Sequence, residues 1–150
     1  MAKFFRFAPL VALVFYVAIK VSFVLNESPT PASPDFIPNA NQQQQLIAVQ
    51  NALADYPQAR KSIGDLYGAF STVIAADNSI IKTTSDVRDA HLNAGILAVK
   101  AGEIPRVPNL AVAVNQFLKS QIGDDNVPLS NEKRDQVVDA FNALEWAANQ

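Results

Sequence analysis

At 150 residues the chain is long enough for one hydrophobic core and short for two, and 49% apolar with 17% charged side chains describes a globular chain, not a disordered one. It contains no cysteine, which removes disulfides, thiolate metal sites, lipid-modified cysteines and cysteine nucleophiles together. The formal net charge of -2 comes from interleaved acids and bases, with Arg60-Lys61 and Lys133-Arg134 the densest basic spots, so no basic stripe is laid out for a polyanion and no nucleic-acid partner is expected.

The first predicted element is an apolar segment. Lys3 and Arg6 precede a charge-free run from Phe7 to Ile19; Lys20 interrupts it, and Val21 to Leu25 complete it. As a helix, Phe7 to Leu25 would extend about 28 Å, close to the roughly 30 Å hydrocarbon thickness of a bilayer. Lys20 lies near the outer end, where its stem can run along the helix and leave the ammonium at the interface. The residues expected inside the bilayer are Phe7, Leu10, Leu13, Phe15, Tyr16, Ile19, Val21, Phe23 and Leu25. A cleaved signal peptide is the competing reading, because a basic start and a short apolar core fit it too. Its best cleavage candidate, Thr30-Pro31-Ala32, has proline inside the site and again at Pro34, which favours a retained anchor. After Lys20 the next basic residue is Arg60, so the positive-inside rule places the N-terminus in the cytoplasm and the remainder outside it: periplasm, cell surface, or the equivalent side of a virion membrane.

Residues 26–41 carry Pro29, Pro31, Pro34 and Pro38, which favour extended polyproline II and predict a spacer that could hold a domain some 40 to 50 Å from the bilayer. Asn26-Glu27-Ser28 matches a glycosylation acceptor, which matters only in a eukaryotic secretory pathway.

The domain is expected over 42–150. Gln42 to Gln45 opens a first helix, with Leu46, Val49, Leu53 and Tyr56 following at helical spacing. Pro57 suits the first turn of a second helix, in which Ile63, Leu66, Tyr67, Phe70, Val73 and Ile74 form the clearest apolar stripe in the chain. Gly64 and Gly68 lie four apart on it, where each costs about 1 kcal/mol relative to alanine. A close helix crossing is the preferred explanation over a ligand-approach site. Asp77-Asn78-Ser79 predicts a turn, and Thr83 to Asp86 supply caps for a third helix. Val87, His91, Ala94 and Ala98 share one face of that helix and Leu92, Ile96 and Val99 an adjacent one, which predicts burial on two sides. Gly102 stops it. Pro105 and Pro108 bracket a connection, and Asn109 is the predicted cap of a fourth helix carrying Leu110, Ala113, Val114, Phe117, Leu118 and Gln121 and ending at Gly123. After a loop at Asp124 to Leu129, Ser130 caps a last helix with Val137, Val138, Phe141, Leu144 and Ala148. No stretch alternates with period two. The expected fold is all-α: an N-terminal transmembrane helix over 1–25, a proline-rich spacer and a compact bundle of four to five helices.

Chemistry is sparse in this pattern. A single histidine, His91, cannot supply a paired-histidine zinc site and reads as a helix-face residue with one hydrogen bond. No Gly-x-Ser-x-Gly elbow occurs, and the glycines are too scattered to cradle a phosphate. Asp124-Asp125-Asn126 beside Glu132 suggests calcium only superficially, because the sixth position of such a loop would be Leu129 instead of glycine. Glu103, Glu132 and Glu145 give no spacing argument for paired-carboxylate catalysis. No catalytic residue, metal site or cofactor is assigned, and the chain is not expected to be an enzyme. Phe141 and Trp146 are the candidate interaction residues, since aromatic side chains make partner hot spots when exposed.

The stretches Ile81-Lys82-Thr83-Thr84, Val87-Arg88-Asp89-Ala90, Ala94-Gly95, Val127-Pro128-Leu129 and Lys133-Arg134 resemble small bacterial or prophage-encoded helical proteins with no assigned activity. The resemblance covers roughly residues 66 to 147. It implies a bacterial or phage origin and carries over no functional residue.

The leading functional expectation is a membrane-anchored structural or interaction subunit of an envelope complex or membrane-containing virion, touching the bilayer through its N-terminal helix and a protein partner through its domain. The alternative is a periplasmic ligand-binding module with a pocket between helices near Gly64, Tyr67 and Gly68, to be distinguished by an apolar cavity with converging polar groups. A third reading, a small enzyme acting outside the cytoplasm, requires an acid such as Glu103 or Glu132 in a cleft.

Overall fold

The computed structural model describes residues 36–76 and 80–150. The spanning segment, the cleavage candidate, most of the spacer and the turn at Asp77-Asn78-Ser79 lie outside the described residues. Among the described residues no helix is long and apolar enough to cross a membrane.

The architecture is an all-α bundle: α1 (Ala40–Gln45), α2 (Ile47–Leu53), a 3-10 turn (Pro57–Ala59), α3 (Arg60–Ala76), α4 (Thr84–Lys100), α5 (Leu110–Ile122) and α6 (Asn131–Ala148). No strand occurs among the described residues, only an isolated bridge between Thr83 and Pro128. The predicted first helix begins earlier than its glutamine run and is divided. Asn39 caps Ala40 reciprocally with Gln42, each side chain bonding the other's backbone N–H at 2.8 and 3.0 Å. At Leu46 the backbone turns to ψ -7, which separates α1 from α2, and Gln42, Leu46 and Val49, at helical spacing, are all buried. Gln42 then donates to Gln121 of α5 at 3.2 Å.

The core is the α3 stripe laid against α6. Ile63, Leu66, Tyr67, Phe70, Val73 and Ile74 are buried together with Val137, Ala140, Phe141, Ala143 and Leu144, and Phe70 stacks on Phe141 with centroids 5.3 Å apart. Gly64 and Gly68 make this seam possible. A Cβ at Gly64 would stand 2.9 Å from the Asn149 side chain, and one at Gly68 would stand 2.8 Å from the Glu145 carboxylate, so both glycines mark a close crossing. Ser71 adds a 2.7 Å hydrogen bond to Asn142 across it. Arg134 of α6 donates to the carbonyls of Ile74 and Ile81, at 2.7 and 3.3 Å, and so holds both flanks of the α3–α4 connection.

α4 is fastened at its N-terminal end. Thr83 and Asp86 form a reciprocal cap, and the buried Thr84 hydroxyl donates to the Asp125 carbonyl at 2.9 Å while accepting from the Val127 N–H at 3.1 Å. The Asn126 side chain accepts the Ser85 N–H at 3.2 Å. The acidic loop read in the sequence as a calcium mimic is therefore a bracket for this helix, and Asp124 pairs with Lys119 at 3.3 Å. Gly102, with φ 75, ends α4 in a Schellman arrangement: Glu103 N–H to Ala98 C=O at 3.0 Å and Gly102 N–H to Val99 C=O at 3.1 Å.

Two local expectations are corrected. Asn109 is left-handed, with φ 66, and its side chain makes no capping bond, so α5 starts without the predicted cap. α4 is not buried on two sides: Val87, His91, Ala94 and Ala98 face the core, but on the second face Leu92 and Ile96 are 42% and 45% exposed and Val99 is half-buried. Helical spacing identifies an apolar stripe without saying that a neighbour exists to cover it.

Candidate functional site

The second face of α4 borders a gap in the bundle. A cavity of about 450 Å³ lies between α3, α4, α5 and the connection joining the last two. α3 contributes Ile63, Leu66 and Tyr67; α4 contributes His91, Leu92, Gly95, Ile96, Val99 and Lys100; the connection adds Ile104, Pro105, Arg106 and Val107; α5 closes it with Leu110, Ala111 and Val114. The volume lies within the range of small-molecule pockets, roughly 300 to 1,000 Å³. Branched aliphatic side chains dominate its wall, and none of the lining residues is an acid.

Local sequence explains the gap. α3 presents its regular stripe to α6 and leaves Ile63, Leu66 and Tyr67 at the edge that meets α4. α4 meets the core through alanines at 90, 94 and 98, which are too small to fill the space beside them. Gly95 stands in the cavity wall, and a Cβ placed there would meet nothing within 4 Å. A glycine in mid-helix costs about 1 kcal/mol against alanine, and here no close crossing accounts for it.

Two polar groups lie in this wall. His91 is 7% exposed, with Tyr67, Phe70 and Phe141 rings at centroid distances of 5.8, 6.0 and 5.8 Å. Its Nδ1 is buried without a hydrogen-bond partner, contrary to the single bond expected from sequence, because its neighbours are aromatic faces and edges. Burial lowers the His91 pKa to about 4 and raises that of Tyr67, so both are neutral at physiological pH. An unsatisfied buried polar atom costs about 1 to 3 kcal/mol. Lys100 and Arg106, both exposed, contribute the cationic part of the lining.

The residues singled out in the sequence are distributed unevenly around this site. Tyr67 and His91 line it. Gly64 and Gly68, expected near a pocket in the ligand-binding reading, instead face α6. Phe141 is fully buried between Phe70 and His91 and presents no surface to a partner; Trp146 is half-buried against the core. Glu132 is exposed in the first turn of α6, Glu103 follows the end of α4, and neither lines the cavity. Glu145 is buried against Gly68 in the opposite seam. Sequence reasoning missed Gly95, Lys100 and Arg106. The available signal was an interior helix glycine followed within a dozen residues by two cations that bracket a turn.

The chain matches no family model, no curated protein and no solved structure, so the functional reading rests on this geometry.

Proposed function

We propose that the chain is a small-ligand-binding helical module, held at a membrane by its 7–25 segment with the domain on the extracytoplasmic side. The observation that carries the binding reading is the aliphatic cavity between α3, α4 and α5, into whose wall the neutral His91 and Tyr67 converge. A largely apolar wall with a few polar groups suits a ligand held mainly by burial of its own apolar surface and oriented by one or two hydrogen bonds. The membrane attachment is supported by the length and charge flanks of the N-terminal segment alone. The structural or interaction subunit favoured by sequence is the second reading. It draws on Leu97 and Val112, exposed apolar residues that stand outside the cavity wall, and a reproducibly co-purifying protein would be its mark.

The test is photolabelling of the full chain in its membrane with a diazirine-bearing long-chain alcohol, a neutral probe. Labelling is expected within residues 92–111, and Gly95→Phe, which projects a ring into open space, is expected to abolish it while leaving far-UV circular dichroism unchanged. Labelling that persists in Gly95→Phe, or that is confined to residues 7–25, would overturn the binding reading.

A further inference from the structure

The cavity's wall is chemically one-sided, and that asymmetry names a class of ligand. Tyr67 and His91 contribute neutral groups, and no lining residue can counter a cation. An anion placed against Tyr67 and His91 would lose its hydration and find no charge to replace it. Lys100, in the last turn of α4, and Arg106, in the connection, form no ion pair or hydrogen bond with any described residue, although Glu103 lies between them in sequence. Two cations without a partner among the described residues, at an otherwise uncharged pocket, form a seat for an anionic head whose body enters the cavity. Gly95 leaves a side chain out of the α4 wall beside Leu92, Ile96 and Val99, where a Cβ would meet nothing within 4 Å.

Resting on the binding function proposed above, we infer that the ligand is a single-chain amphiphile, its aliphatic tail in the cavity beside Gly95 and its anionic head held by Lys100 and Arg106. A carboxylate and a phosphate head share this chemistry, which belongs equally to a free fatty acid and to a lysophospholipid.

The experiment uses the full chain in membrane and three photoreactive probes with the same tail: a carboxylic acid, a lysophosphatidic acid and the neutral alcohol. At least one anionic probe is expected to label residues 92–111 more strongly than the alcohol does, and the better of the two identifies the head. The double variant K100Q/R106Q is expected to lower anionic labelling roughly five-fold, the scale of two exposed ionic contacts, and to leave alcohol labelling unchanged. Gly95→Phe should abolish all three. Equal labelling by acid, phosphate and alcohol, unaffected by K100Q/R106Q, would overturn the anionic-head assignment while leaving the binding function intact. If no probe labels the cavity, or all label only residues 7–25, the binding function falls and this inference falls with it.

Discussion

The two sides of α3 are packed by opposite means. Against α6 it presents Gly64, Gly68 and Ser71, and the partner answers with Ala148 and Asn149, Glu145 and Asn142 in turn; the helices approach until a single Cβ at Gly68 would lie 2.8 Å from a carboxylate oxygen. Toward α4 the facing residues are also small, Ala90, Ala94, Gly95 and Ala98, yet the helices do not close on one another and about 450 Å³ stays unfilled. Small side chains therefore do not dictate close approach. They allow it, and the seam beside the glycines is closed by the stacked Phe70–Phe141 pair and the Ser71–Asn142 hydrogen bond. Toward α4 the rings of Tyr67 and Phe70 meet His91, and the space beside that contact stays open.

Substitutions that attack each side should separate them. The largest effect is expected at the stacked pair of the closed seam: Phe70→Ala removes a fully buried ring in contact with Phe141 and His91 and should cost about 3 to 5 kcal/mol, read from urea unfolding.

Next comes the histidine between the two sides. Because burial lowers its pKa from 6.5 to about 4, the unfolded chain takes up the proton first as the pH falls. The stability it supports is complete above about pH 6.5 and drains away toward pH 4, by about 3 kcal/mol in total. Tyr67, the other titratable group on the ring, stays neutral throughout this window. Unfolding free energies at pH 7.5 and 4.5 should differ accordingly in the parent, and this component of the difference should vanish in His91→Leu; an equal drop in both proteins would place the acid sensitivity elsewhere.

The smallest and most discriminating comparison is between the glycines. Gly68→Val should destabilise by about 1 to 3 kcal/mol through overpacking, whereas Gly95→Ala should stabilise by about 1 kcal/mol, since its methyl group enters open space on a helix that gains propensity. Two changes of the same sign in melting temperature would show that the two seams are alike.

Much of this was legible before any coordinates. The stripes of α3 and α6 named their own buried residues, and Thr83, Ser130 and Gly102 sit at the helix ends their chemistry predicts. The failures share a physical cause. Periodicity reports which residues share a face and is silent about the partner of that face, so Leu92 and Ile96 read as buried although they border a gap. A glycine's spacing likewise cannot tell contact from vacancy: Gly64 and Gly68 stand in a crowded seam, while a Cβ at Gly95 would meet nothing within 4 Å. Phe141 read as a possible surface aromatic because an apolar ring near a chain end looks the same whether or not another helix covers it; Phe70 does so here. The site itself depended on Lys100 and Arg106 being carried round by the turn at Gly102, a three-dimensional event that neither residue announces.

The bracket at the start of α4 has a mechanical meaning. The helix is a beam fixed at one support: Thr84, Ser85 and Arg88 are bonded to residues 123–127, while beyond His91 it rests on the core through Ala94 and Ala98, with Ile104 and Val107 past its end. Dispersion contact scales with the number of atoms touching, and two methyl groups offer few. A load applied inside the cavity therefore meets its least resistance at the far end of α4, beside the space that would use it.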